Sequence, residues 1–432
     1  MAVEQAGGTT GAGARLSASP LRRNRDFVLL QTGQTLSTIG SESTAIAYPL
    51  LVLALTHSPA QAGIVGFARI IPWALFGVAA GVVADRANRK RIMVVSDVVR
   101  TAAMASLIVA IALDHITVAH IALVAFVEGA LYVFFNIAEL GALRSVVPGP
   151  QLPAAAAVEQ ARWSTVTLVA PPLGGALIGL GRTLPFVANA ISYAFSLASL
   201  VAMRTPFQEA REKDETPVRV QLAEGFRWLW GHHFFRDCAL LFSLTNLVYE
   251  ALFLVLIVAG RREGLSSGEI GALIATFGVC SLIGSVLAPR LVRLVSMRTL
   301  VIGSFWLQLG FAVALVKPSA YVLLAGCVPM ALFIPTVNAA VIGYRTAVVP
   351  DRLTGRVGGV ARTIALCTAA FGPLSAGLLL DSLSLRDTIG VYAALMLVLC
   401  VLGSLTPSIR NAPSLSDLDV LPTRSTSHAE GG

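Results

Sequence analysis

Twelve apolar runs of membrane-spanning length, separated by short charged loops, decide what this chain can become. They fall at about 27–55, 61–84, 92–113, 117–141, 154–179, 183–203, 237–259, 268–289, 299–316, 320–344, 357–381 and 388–406. A helix needs about 20 apolar residues to cross the hydrocarbon core. Gly and Pro interrupt some runs, which membrane helices tolerate where neighbours satisfy the freed backbone groups. Composition agrees: the 432 residues are 55% hydrophobic and only 13% charged, where a soluble domain is about a quarter charged. A large soluble enzyme is therefore excluded, and the chain reads as an all-α membrane protein with a lipid bilayer as its surroundings. The net charge of +8 is spread over short loops, so it marks topology and not a nucleic-acid partner.

The loop charges orient the spans. If the N-terminus is inside, the inner segments carry Arg22, Arg23, Arg25, then Arg86, Arg89, Lys90, Arg91, then Arg144. The central loop adds Arg204, Arg211, Lys213, Arg219, Arg227 and Arg236, and later loops add Arg290, Arg293, Arg298, Arg352 and Arg356. The opposite face keeps only Arg182, Arg261, Arg262, Lys317 and Arg386. The positive-inside rule then places both termini in the cytoplasm of a multi-pass protein of the cytoplasmic, or inner, membrane.

Five segments follow: a disordered basic N-terminus over 1–26, a six-helix bundle over 27–203, a linker over 204–236, a second bundle over 237–406, and a disordered tail over 407–432. The linker begins with a solvated stretch, Glu209 to Pro217. It continues into an amphipathic helix with Val220, Leu222, Phe226, Leu229 and Trp230 on its apolar side, suited to the bilayer interface. The two bundles repeat. Arg144-Ser-Val-Val-Pro148 matches Arg345-Thr-Ala-Val-Val-Pro350, Arg162 matches Arg362, and Pro171-Pro172-Leu-Gly-Gly175 matches Gly372-Pro373-Leu-Ser-Ala-Gly377. Two same-sense six-helix halves form the parallel repeat of a transporter architecture.

Charges inside spans are costly, about 2.5–3.5 kcal/mol each on insertion scales, and commonly face a cavity. Glu42, Glu128 and Glu250 lie within spans 1, 4 and 7, and Arg69 within span 2. A carboxyl group in a cavity of low polarity can bind and release a proton near neutrality, which a proton-coupled carrier requires. Each has a structural alternative. Glu42 and Arg69 could form a fixed salt bridge, Glu128 could close a hydrogen-bond network, and Glu250 could snorkel. Arg69 could equally anchor an anionic group of a substrate. Helical spacing groups Asn246 and Tyr249 with Glu250, and Tyr132 and Asn136 with Glu128, while Asn338 is the sole amide of span 10. These stripes predict a central cavity of aromatics, amides and acids that suits a bulky amphiphile; helix packing and interhelical bonding are the alternatives.

Nothing in the chain points to a catalyst, a cofactor or a metal. There is no GxSxG elbow and no GxxxxGK[ST] phosphate loop. Cys238, Cys280, Cys327, Cys367 and Cys400 form no CxxC pair, and His57, His115, His120, His232, His233 and His428 fall in loops or tails. The cysteines read as small buried hydrophobes.

One loop is more specific. Gly81-Val-Val-Ala-Asp85-Arg86-Ala-Asn-Arg89-Lys90-Arg91 resembles, in position, length and residue type, the signature between the second and third helices of the major facilitator superfamily. Its counterpart in the second half, Leu287-Ala-Pro-Arg290-Leu-Val-Arg293, lacks the acid. Val169-Ala-Pro-Pro172-Leu-Gly-Gly175 resembles the fifth-helix element of exporters, with Ala170-Pro171 where Gly-Pro is usual. Ser37-Thr-Ile-Gly40, Ala47-Tyr-Pro-Leu-Leu51, Leu55-Thr-His-Ser58, Glu224-Gly-Phe-Arg-Trp-Leu-Trp230 and Val349-Pro-Asp-Arg-Leu-Thr-Gly-Arg-Val357 resemble the enterobactin-exporter and macrolide-efflux branch. The resemblance spans about residues 25–406.

It implies a monomeric secondary transporter that exports a small molecule, a drug, siderophore or other natural product, against proton entry by alternating access. An uptake symporter or uniporter of the same fold is the alternative, and a non-transporting sensor a more remote one. It also implies a latch. Asp85 would cap the start of span 11 at Arg356-Val-Gly358-Gly359, Arg89 would meet Glu139, and Gly81 and Arg86 would complete the loop. The alternative is that the bases only hold the loop inside.

Overall fold

Side-chain caps fix where many of the helices begin. Asn24, Ser58, Asn88, Thr117, Ser266, Ser296 and Ser384 each accept a backbone N–H from the first turn that follows, satisfying a donor that the helix itself cannot. The structure, a computed structural model, describes residues 20–205, 207, 218–316 and 320–412. The expectations for residues 1–19, for the solvated stretch over 208–217 and for the tail beyond 412 lie outside the described residues, as do the side chains at 219, 317 and 327.

In chain order the helices are α1 Arg25–Thr56, α2 Pro59–Ile70, α3 Pro72–Arg86, α4 Arg89–Ala112, α5 Val118–Val146, α6 Leu152–Leu180 and α7 Leu184–Ala202. After the central loop come α8 Val218–Gly231, α9 His233–Arg262, α10 Ser267–Leu294, α11 Met297–Ala314, α12 Ala320–Val348, α13 Asp351–Ser382, α14 Leu385–Leu405 and the short α15 Pro407–Arg410. Among the described residues there is no strand. Among the described residues, twelve spans are long and apolar enough to cross a membrane. The second, expected as one helix, is two: α2 and α3 meet at Ile71, where Pro72 begins a new helix. Proline lacks the N–H the ladder needs there and its ring crowds the preceding turn.

The two six-helix halves pack in the same pattern. In the first, α1 lies against α6 and α7, α4 against α5 and α7, and α2 and α3 against α5; in the second, α9 lies against α13 and α14, α11 against α12 and α14, and α10 against α12. The halves meet chiefly along two crossings, α2 with α13 and α6 with α10, with lesser contact of α3 with α13 and of α1 with α9. Both crossings are backbone to backbone. A Cβ added at Gly63 would overlap the Pro373 carbonyl, one at Gly377 the Pro59 carbonyl, one at Gly175 the Ser267 carbonyl, and one at Gly271 the Pro171 carbonyl. Small residues are what allow membrane helices this approach.

These crossings lie at the end of the molecule away from the Asp85 loop. At the loop's own end, here the hinge end, a Cβ on Gly81 would meet nothing within 4 Å, and neither would one on Gly355 or Gly359. The Asp85 side chain is 73% exposed. The halves therefore touch at the far end and part toward the hinge end.

The amphipathic helix of the central loop, α8, lies under the second half. Gly225 lets it sit on the backbone of Arg356. Glu224 pairs with Arg356 and reaches Arg352 at 3.8 Å. Leu229 is buried, Trp228 stacks on His232 with centroids 5.3 Å apart, and Phe226 and Trp230 stack on each other at 4.7 Å on the exposed side. Burial of His232 pushes its imidazole below the ordinary histidine value, so at neutral pH it packs as an uncharged aromatic.

Candidate functional site

Between the halves lies a cavity of about 340 Å³. Seven helices bring charged or aromatic groups to its wall. From α1 comes Glu42, from α2 Arg69, from α3 Trp73, from α5 Glu128 and Tyr132, and from α9 Tyr249, Glu250 and Phe253. Trp163 of α6 and Phe277 of α10 complete an aromatic lining. Trp73 meets Tyr132 edge-on at 6.1 Å, and Tyr249 tilts against Phe277 at 5.7 Å. Behind that second pair is a smaller apolar chamber of about 40 Å³, bounded by Leu256, Leu273, Phe311 and Met330.

The three acids of the cavity are held differently. Glu42 receives Arg69 Nη2 at 3.0 Å, and the same nitrogen lies 3.4 Å from the Ser41 carbonyl. Glu128 accepts three bonds: Tyr193 Oη–H to Oε1 at 2.6 Å, Tyr48 Oη–H to Oε2 at 2.8 Å, and Asn189 Nδ2 to Oε1 at 3.3 Å. It is 3% exposed, and its two oxygens are both engaged. Glu250 sits against Gly372, where a side chain would collide with its Cβ, and makes no ion pair among the described residues.

The Glu128 network continues away from the cavity. Ser41 shares a 2.7 Å bond with Tyr193, and Asn189 also donates to Thr44 at 3.2 Å. Arg100 lies between two rings, its guanidinium carbon 4.7 Å from the Phe135 centroid and 4.4 Å from that of Tyr193. It pairs with Asp97, which accepts Ser196 Oγ–H at 2.6 Å, and Ser196 in turn accepts Gln34 Nε2 at 3.0 Å. A second buried group joins Arg162 to Glu139 at 2.8 Å and to Glu159, with Gln31 donating to Glu159 at 3.3 Å. At the hinge side of the cavity, Arg362 of α13 rests over Trp73 of α3 at 4.5 Å, a cation–π contact that bridges the halves.

The structure thus brings Glu42, Arg69, Glu128, Tyr132, Tyr249 and Glu250 into one wall. It does not bring Asn136, Asn246 or Asn338 there. Each four-residue step along a helix drifts about 40° round its axis, so a stripe of two turns carries Asn136 off the cavity face. Pro172, Gly175 and Pro373 lie at the close crossings, and Gly372 packs on α9 against Glu250. The latch contacts are not made in this conformation. Asp85 faces Arg89 at 3.8 Å and not the start of α13, Arg86 is exposed, and Arg345, not an acid, lies against Gly358. Glu139 is held by Arg162, while Arg89 bonds the carbonyls of Ala84 and Phe207 at 3.2 and 3.5 Å. The parted hinge end accounts for the first, since Asp85 and the start of α13 lie on opposite sides of an opening; Arg89 and Glu139 belong to the same half, where Arg89 packs against Gly141 of α5 and Arg162 holds Glu139.

Among the described residues no three His, Cys, Asp or Glu side chains gather as a metal site would need. Sequence reasoning missed Asp97, Arg100, Asn189 and the tyrosines Tyr48 and Tyr193. The available signal was Ser96-Asp97-Val-Val-Arg100, an acid and a base three apart inside an apolar run.

Comparison with known proteins adds the following. Residues 32–298 match the family described as Major Facilitator Superfamily. The multidrug efflux pump Tap of Mycolicibacterium fortuitum is 24% identical over 383 residues, covering 86% of this chain and 93% of that protein. Tap of Mycobacterium tuberculosis is 27% identical over 408 residues, covering 90% and 93%. A bacterial homologue of the iron transporter ferroportin in its inward-facing state has a similar fold, with a TM-score of 0.69 at 17% identity over 89% of this chain and 98% of that one. The outward-facing structure of a ferroportin homologue gives 0.60 at 18% identity over 88% and 98%.

Proposed function

Because this chain belongs to the major facilitator superfamily, and is a membrane transporter and not an enzyme, we propose that it exports small amphiphilic molecules, cationic at one end, in exchange for protons. The observation that carries this is the cavity itself: three carboxyl groups and one guanidinium, walled by Trp73, Tyr132, Trp163, Tyr249 and Phe277, at the meeting of the two halves. Aromatic faces attract both apolar surface and cationic groups. The surplus of acids over bases gives a net charge of −2 when all four are ionised. A proton and a cationic substrate then compete for the same negative charge, which is the coupling an antiporter needs. The Tap relatives, named as multidrug efflux pumps, support the export sense.

The basic hinge end is the cytoplasmic one by the positive-inside rule, so this conformation is open to the cytoplasm and both termini lie there. The higher likeness to the inward-facing ferroportin homologue supports that reading. The cavity is completed within one chain, in keeping with a monomer. Glu250 is the best placed of the acids to take the proton, since both oxygens of Glu128 are occupied and Glu42 already answers Arg69. Glu42 takes part when Arg69 is released from it, and Glu128 holds the frame.

The test is accumulation of a fluorescent amphiphilic cation in cells that express the protein. Export predicts lower accumulation than in control cells, lost in Glu250→Gln with the variant still in the membrane. Higher accumulation would indicate uptake by the same fold and would refute the direction.

A further inference from the structure

Span 2 and span 11 run in opposite directions and carry an acid in the same place. Asp85 is the last residue but one of α3, and Asp381 the last but one of α13. A carboxylate there opposes the dipole of its own helix, whose carboxyl end is the negative one. Its favourable position is the amino end of an antiparallel neighbour, where backbone N–H groups point outward.

Asp381 occupies that position. Ser58 Oγ–H donates to Asp381 Oδ2 at 3.1 Å, and the Ala60 N–H lies 3.5 Å from Oδ1. Ser58 is the N-cap of α2 and also accepts the Gln61 N–H at 3.3 Å. The first turn of α2 in one half is therefore capped jointly with an acid of the other half. The contact sits directly beyond the glycine crossing of Gly63 and Gly377. The equivalent crossing, α6 with α10, is built otherwise. There the cap of α10 is closed within one helix, Ser266 and Glu269 exchanging both bonds. Among the described residues no acid of the first half reaches it.

We propose that Asp381 is the far-end member of a two-ended clasp whose hinge-end member is Asp85. In this conformation Asp381 is engaged and Asp85 is exposed. When the halves rock the other way, Asp381 leaves α2 and Asp85 reaches the amino end of α13. Span 2 and span 11 exchange one capping carboxylate for the other, so each end state keeps one helix start satisfied. This rests on the alternating-access reading above, and it makes Asp381 a positioning residue of the cycle that touches no substrate.

The experiment is double electron–electron resonance on the full chain in lipid nanodiscs, with the five native cysteines replaced by alanine. Spin labels at Arg182→Cys and Arg386→Cys report the far end, and labels at Arg144→Cys and Arg298→Cys report the hinge end. Asp381→Asn is expected to raise the ratio of far-open to hinge-open molecules about three- to tenfold, the size of one charge-assisted cap. Asp85→Asn shifts it the other way, and the double variant returns near the parent ratio. Ser58→Ala shifts it in the direction of Asp381→Asn, or leaves it unchanged if the Ala60 N–H carries the bond; either supports the clasp once Asp381→Asn has shifted. Parent distributions in Asp381→Asn, with or without a shift in Ser58→Ala, overturn it while leaving two-state transport intact. A parent protein with a single distance at each end, in acid and in alkaline buffer, overturns the clasp and the alternating-access reading together.

Discussion

Asp97 and Arg100 lie at 0% and 1% exposure inside the first bundle. Asp97 is served by Ser196 and Arg100 is sandwiched by Phe135 and Tyr193. Removing one member of such a pair leaves the other charged and alone, at a cost of about 3–5 kcal/mol. Asp97→Ala should therefore lower the detergent-solubilised protein's melting temperature sharply. Asp97→Val combined with Arg100→Met should recover most of the loss, because replacing both charges is near neutral. If the single variant melts with the parent, the pair is not structural. Glu42, Arg69, Glu128 and Glu250 were legible in the sequence because a charge stands out in the middle of an apolar run. Asp97 and Arg100 were not, since a pair three apart cancels itself and lies within three turns of the basic loop. Asn189 was hidden for another reason. An amide in a membrane helix looks the same in sequence whether it faces a neighbour, as Asn189 does towards Glu128, or a cavity.

At the scale of elements, run length alone located the twelve spans, because the bilayer sets a length that soluble folds do not have. The break between α2 and α3 was not readable. Proline is common enough in membrane helices that Pro72 could equally have bent one helix as ended it. The break matters, since α2 carries Arg69 and the far crossing while α3 carries Trp73 and Asp85. The amphipathic pattern of α8 was legible, but its partner was not, as nothing local says that Glu224 meets Arg356. That ion pair fastens α8 to the opening turns of α13. A partly exposed pair contributes about 1 kcal/mol or less, so Glu224→Ala should leave global stability nearly unchanged. It should instead speed amide hydrogen exchange over the first turns of α13. Unchanged exchange there, with α8 still protected, would show that packing around Gly225 and Leu229 suffices.

For the molecule as a whole, the internal repeat announced two halves, and the structure shows what the repeat does not: where they touch. Both crossings rest on carbonyls set against glycines, Gly63 and Gly377 on one side and Gly175 and Gly271 on the other. Such contacts come apart by rocking of two rigid bundles more readily than by repacking within either one. The cavity between them holds the acids and the aromatic walls, so a change in its charge is felt by both halves at once. The sequence contained the Asp85 signature, but one chain cannot say which of its states a latch belongs to; here the hinge end is parted and the far end closed. The central claim is exchange of a proton for an amphiphilic cation. Its most direct measurement is flux of a fluorescent amphiphilic cation in vesicles reconstituted with the protein, under an imposed pH gradient. We expect accumulation of the cation against its own gradient, toward the acidic side, collapsing when an ionophore dissipates the pH difference. Flux that is unchanged after the gradient has collapsed would contradict the account.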